Sequence, residues 1–97
     1  MRLAAKVDRN QAEIVQQLRD IGCTVQPLHM VGRGFPDILV GRHGRNWLFE
    51  IKTRSGKMTA DELDWHTCWR GQVHVIRNVE QAIGIMAHDD PADAPPF

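Results

Sequence analysis

Val7, Gln11, Ile14, Leu18 and Ile21 recur at four- and three-residue spacing, and Val15 widens the stripe. That period predicts a helix with one buried face, Asp8 to Ile21. Asp8 is placed to cap it and Gly22 to end it. Thr24 to Met30 then reads as a strand, with Pro27 pointing to an edge or a bulge. Glycines at 32 and 34 make 31–36 a loop. Two short apolar runs follow, Ile38 to Val40 and Trp47 to Ile51, joined by Gly-Arg-His-Gly-Arg-Asn. Such runs around a Gly-rich link predict a hairpin. Thr59, with Glu62 three residues on, forms a capping box for a helix that runs to about Arg70. Trp65 and Trp69, one turn apart, read as its core stripe. Val73 to Ile76 is a short buried strand, and Val79 to Ala87 another amphipathic helix. Strand, helix, strand in succession suggests a crossover. The fold class is therefore α/β in the order αβββαβα, a central mixed sheet flanked by helices. From His88 on, three Asp and three Pro predict a disordered tail.

The hairpin fixes a register. With the turn at His43-Gly44, Val40 faces Trp47, Leu39 faces Leu48 and Asp37 faces Glu50. Strand side chains alternate between faces. Ile38, Val40, Trp47, Phe49 and Ile51 then share a wholly apolar face, which is core. Asp37, Leu39, Leu48, Glu50 and Lys52 share the other. Opposed residues sit about 4.5–5.5 Å apart at Cβ, so two carboxylates there repel each other. A divalent cation between them removes the repulsion, and hard oxygen ligands suit magnesium or manganese. Lys52 lies one strand repeat beyond Glu50. The plainer meaning of these residues is an Asp in a turn after Pro36 and a solvated strand end.

At 97 residues the chain is sized for one domain. A chain this short buries only about 60–65% of its unfolded surface, so oligomerisation would add stability. No apolar run approaches the roughly 20 residues of a membrane span. Lys6, Asp8 and Arg9 interrupt any signal-like stretch, so a cytosolic location is expected. Cys23 and Cys68 are far apart and do not suggest a disulfide. There is no CxxC or paired-His spacing for zinc. Net charge is zero, but its distribution is uneven. Between Val31 and Lys57 lie six Arg or Lys against two acids, Asp37 and Glu50. From Met58 on there are seven acids and two Arg or Lys. A basic band around an acidic pair fits a phosphate substrate lying across a metal site. Arg33, Arg42, Arg54 and Lys57 are its candidate DNA contacts. A solvated charged surface would look the same.

Pro36-Asp37, a hairpin, then Glu50-Ile51-Lys52 resembles the signature of the PD-(D/E)XK nuclease superfamily. Gly32-Arg33-Gly34-Phe35-Pro36-Asp37-Ile38-Leu39, Ser55-Gly56-Lys57-Met58-Thr59 and the helix with Trp65-His66 resemble one branch of it. That branch is the virus-type replication-repair nuclease (VRR-NUC) domain. The resemblance implies a restriction-endonuclease-like core over 1–87, with 88–97 as tail. It implies a magnesium-dependent (or manganese-dependent) DNA endonuclease of DNA repair. Asp37 and Glu50 would hold the metal with the Ile51 carbonyl, and Lys52 would orient water or stabilise charge on the phosphate. It also implies branched or four-way-junction DNA as substrate, a homodimer, and a phage or prophage source within a bacterial cytoplasm. The superfamily's first helix often carries an acid that reaches the metal, and Glu13 matches by position. By its spacing alone Glu13 is a surface residue paired with Arg9. Related domains usually have Gln where this chain has Glu62, which leaves the role of Glu62 open. His66, one turn on, can face the site. The alternative function is a nucleic-acid-binding module without catalysis, gripping phosphates through the basic band.

Overall fold

A computed structural model of the chain describes residues 9–89. Helix α1 (Arg9–Asp20) leads into strand β1 (Thr24–Pro27). Strands β2 (Ile38–Arg42) and β3 (Arg45–Ile51) follow, then α2 (Ala60–Cys68), β4 (His74–Ile76) and α3 (Val79–Asp89). The sheet order is β1-β2-β3-β4. β1–β2 and β2–β3 pair antiparallel, and β3–β4 pair parallel. The sheet is therefore mixed, and α2 lies on the crossover that the parallel pair requires. The proposed Asp8 cap lies outside the described residues.

The hairpin register is the one expected: Ile38 opposes Phe49, Leu39 opposes Leu48 and Val40 opposes Trp47. Its two-residue turn sets φ at 53° for His43 and 76° for Gly44. Two positive φ values match the twist of the flanking strands, which is why this turn pins the pairing. One sheet face, Ile38, Val40, Trp47, Phe49, Ile51 and Ile76, is at most 1% exposed. Ile14, Val15 and Leu18 of α1 and Val79, Ala82 and Met86 of α3 complete that core.

Three boundaries depart from expectation. β1 stops at Pro27, and 28–31 turn away, with the Val31 N–H donating to the Leu28 carbonyl at 2.9 Å. His29 and Met30 are thus exposed turn residues. α3 runs through His88 to Asp89, so the tail begins later than expected. The Asp89 carboxylate holds this end by accepting from Trp47 Nε1 at 2.8 Å. Residues 90–97 lie outside the described part. Finally, α2 buries no residue at all. Trp65 is half-buried and Trp69 is 43% exposed, so this tryptophan pair is not a core stripe. No described helix is long and apolar enough to cross a membrane.

Candidate active site

Asp37 enters the sheet just ahead of β2. Its N–H donates to the Phe49 carbonyl at 3.0 Å, and its own carbonyl accepts from Leu28 at 2.8 Å. The register itself ends at Ile38 opposite Phe49, and these bonds hold Asp37 beside that strand end, next to Glu50 and Ile51. The Asp37 Oδ2 accepts from the Ile51 N–H at 2.7 Å. N–H and C=O of one strand residue point to the same side, so the Ile51 carbonyl is directed toward Asp37. The chain thus brings together Asp37, Glu50 and the Ile51 backbone.

Glu50 is 1% exposed. Its Oε1 is buried without a hydrogen-bond donor. Lys52 Nζ stands 3.6 Å from Glu50 Oε2 and 2.7 Å from Glu62 Oε1. Burial and the neighbouring Asp37 carboxylate push the Glu50 carboxyl up to about 10. Burial also raises Asp37, against the lowering effect of the Ile51 N–H. The pair as a whole therefore holds a proton more readily than two separate carboxylates do. Burial pulls the Lys52 ammonium down, but Glu62, Glu50 and Asp37 outweigh it and the net displacement is upward. Burial raises Glu62, but Lys52 and the Thr59 N–H outweigh it and hold that carboxyl low.

Glu62 has two duties through one oxygen. Oε1 accepts from the Thr59 N–H at 2.8 Å while Thr59 Oγ1 accepts from the Glu62 N–H at 3.2 Å. This is the expected capping box. The same oxygen holds Lys52. His66, half-buried one turn on, has a buried Nε2 with no partner. Burial lowers its pKa.

The remaining candidates are scattered. Glu13 is exposed, away from the Gln11, Ile14, Val15 and Leu18 face of α1, and no hydrogen bond or ion pair links it to the cluster. The α1 residue that reaches this strand end is Asn10, whose Nδ2 donates to the Lys52 carbonyl at 3.1 Å. Its Oδ1 is buried and unpartnered. Arg42 is 7% exposed at the hairpin tip, with Nη1 2.7 Å from His43 Nδ1. Five residues of strand, about 16 Å, separate it from Asp37. Arg33, Arg54 and Lys57 are exposed at the other end. Arg77 was not foreseen. Its Nη1 donates to the carbonyls of Thr53, Arg54 and Gly56 and so shapes the loop after Lys52. The glycine loop makes its close approach to α2: a Cβ on Gly34 would lie 2.3 Å from the Asp61 carbonyl oxygen. With φ of +79°, that position demands glycine twice over.

Among the described residues, no group of three or more His, Cys, Asp or Glu could hold a metal ion. The donor set on offer is two carboxylates and a carbonyl. The unpartnered Glu50 Oε1 and the forced proton both indicate a place short of positive charge, which a hard cation would fit. Magnesium suits such a partial cage, because it keeps several waters.

A mixed sheet bearing an acidic pair and a lysine on adjacent strands, flanked by helices, defines a restriction-endonuclease-like nuclease fold. No family model and no curated protein matches the chain. A solved VRR_NUC domain structure superposes with a TM-score of 0.65 at 27% identity, covering 84% of this chain and 95% of that one. In fold, and over most of its length, the chain is thus similar to a VRR-NUC domain.

Proposed function

We propose that this domain is a divalent-metal-dependent DNA endonuclease. The observation that carries the reading is the buried contact of Asp37 with Glu50, with an ammonium 3.6 Å away and one Glu50 oxygen left without a donor. Asp37, Glu50 and the Ile51 carbonyl would hold the cation. When bound, such an ion acidifies a water and polarises the scissile phosphate. In its ionised form Glu50 would be an anionic oxygen donor to that cation. Lys52 presents a fixed charge to the phosphate oxygens as negative charge grows on them. Glu62 holds that ammonium in place beforehand. Arg33, Arg54 and Lys57 line the basic approach and bind the DNA backbone. Likeness to VRR-NUC domains supports branched or junction DNA as substrate and a homodimer as the working form. Two sites facing opposite strands suit a symmetric junction.

The test is a nicking and junction-cleavage assay with magnesium. Lys52→Ala is expected to lower the rate by about 10³-fold, the size of one lost preorganised charge, while DNA binding stays close to wild type. A mutant that cuts at the wild-type rate would refute the mechanism. A wild type that binds DNA but never cuts it would favour the non-catalytic module.

A further inference from the structure

We propose that Trp69, backed by Trp65, is a stacking platform for an unpaired nucleobase of a DNA strand whose phosphate lies at Asp37, Glu50 and Lys52. The inference deepens the nuclease reading and rests on it. Helix α2 sends Glu62 to the catalytic lysine. The same helix carries an aromatic column. The Trp65 and Trp69 rings are 4.6 Å apart and 19° from parallel. Phe35, two residues before Asp37, meets Trp65 edge-on at 5.0 Å. The column therefore starts on the loop that delivers Asp37 and leads outward.

Its outer ring is partly open, with Gly71 close to its Nε1 side. With one face against Trp65, Trp69 is still 43% exposed, and α2 contributes nothing to the core. The platform is narrow, because Asp61, Asp64 and Thr67 on α2, and Arg70 just past it, are polar and exposed. A broad apolar partner would find little to cover. A flat base needs only a ring face, and each stacked base contributes about 1–3 kcal/mol whatever its sequence. The distance also fits. Trp69 is seven residues past Glu62, about 10 Å along the helix axis. A stacked strand advances about 3.4 Å per nucleotide, so the base would lie about three nucleotides from the phosphate. Exposed Arg70 follows Trp69 in the chain and offers a positive charge for an intervening phosphate. Bases paired inside a duplex have both faces covered and cannot stack on the platform, so it favours strands with unpaired bases.

Fluorescence anisotropy without divalent cations would measure affinity for an oligothymidine strand and for a blunt duplex. Trp69→Ala is expected to lower the ratio of single-strand to duplex affinity by about 5- to 150-fold, the equivalent of one stacked base. Trp69→Phe should retain most of the ratio. Oligothymidine should quench wild-type tryptophan emission. Leu63→Ala is the control: Leu63 is exposed but about 160° around the helix from Trp65, and the ratio should not move. An unchanged ratio in Trp69→Ala with a wild-type far-UV spectrum overturns the proposal. So does a halved solution mass, which would assign the ring to a second copy of the chain. If Trp69→Ala does not fold, Trp69→Phe and the wild-type quench decide: no quench ends the proposal. Wild-type cleavage with magnesium separates the two claims, since its absence sinks the nuclease reading and its presence with an unchanged ratio sinks only the platform.

Discussion

The two faces of the β2–β3 hairpin are built from the same strands and do opposite things. On one, six side chains of the sheet are sealed beneath α1 and α3. On the other, Leu39 and Leu48 are half-buried, the ionisable Glu50 and Lys52 are buried, and the covering helix α2 buries no residue. The first face stabilises the domain through apolar area removed from water. The second is costly, because desolvating a carboxylate and an ammonium takes more than their attraction returns in most geometries. A 97-residue chain has little stability to spare. The difference teaches that the charged face persists because the apolar face carries it. α2 is held chiefly by contacts to the site itself: Gly34 against Asp61, Phe35 against Trp65, and Lys52 on Glu62.

The sharpest way to break the comparison is to damage the carrying face. Phe49→Ala removes a ring at 0% exposure from between α1, α3 and the sheet. Its cost should be about 3–5 kcal/mol in urea denaturation. Total stabilities run near 5–15 kcal/mol, so much of this domain would be unfolded. A loss under about 1 kcal/mol would mean the two faces share the load, contrary to the contrast drawn above.

The charged face should show itself in pH dependence. Glu50 has its folded pKa raised to about 10 by burial and Asp37, against 4.5 ordinarily. The stabilising contribution is complete below the unfolded value and is lost as pH rises toward the folded one. Between those values the folded chain holds one proton more than the unfolded chain. Stability of the metal-free protein should therefore fall with rising pH, by up to about 1.4 kcal/mol per pH unit for one proton. Asp37, also raised, acts in the same direction. Glu62, held low, and His66, lowered by burial, act in the opposite direction, each only below its ordinary value. Melting temperatures from pH 5.5 to about 8.5 would give the slope, and Glu50→Gln should flatten it. Millimolar magnesium should stabilise wild type most at the alkaline end, where the cation replaces the missing charge. Equal slopes for wild type and Glu50→Gln would remove Glu50 from this account.

The contrast between the faces also explains what could be read without coordinates. The hairpin was legible because alternation and a His43-Gly44 turn fix register locally, and that register brings Asp37 beside the strand end that carries Glu50. Lys52 followed by counting. Helix α1 was legible as an element but not in its rotation about the sheet, which depends on how Ile14, Val15 and Leu18 meet residues far along the chain. Asn10 rather than Glu13 therefore came to the strand end. The tryptophan pair has the spacing of a core stripe, and spacing cannot reveal that nothing covers it. Arg77 follows a buried strand and gives no local sign of the loop it holds. Arg77→Ala leaves three carbonyls without that donor, at a cost of about 1–3 kcal/mol. Weaker DNA binding through Arg54 and Lys57 should accompany that loss. Unchanged binding in a destabilised mutant would confine Arg77 to the fold.

The smallest effect asks what fastens α2 to the charged face. Glu62 Oε1 serves both the Thr59 N–H and the Lys52 ammonium. Glu62→Gln keeps a cap, since glutamine also fits the capping box, but removes the charge facing Lys52. A partly exposed pair of this kind contributes about 0.2–1 kcal/mol, and Glu62→Gln should lose no more. Glu62→Ala loses cap and charge together, and should cost about a further 1 kcal/mol. The gap between the two mutants in urea denaturation thus isolates the cap. If Glu62→Gln were as damaging as Glu62→Ala, the ammonium contact alone would hold the helix, and α2 would be tethered by Lys52 rather than by its own first turn.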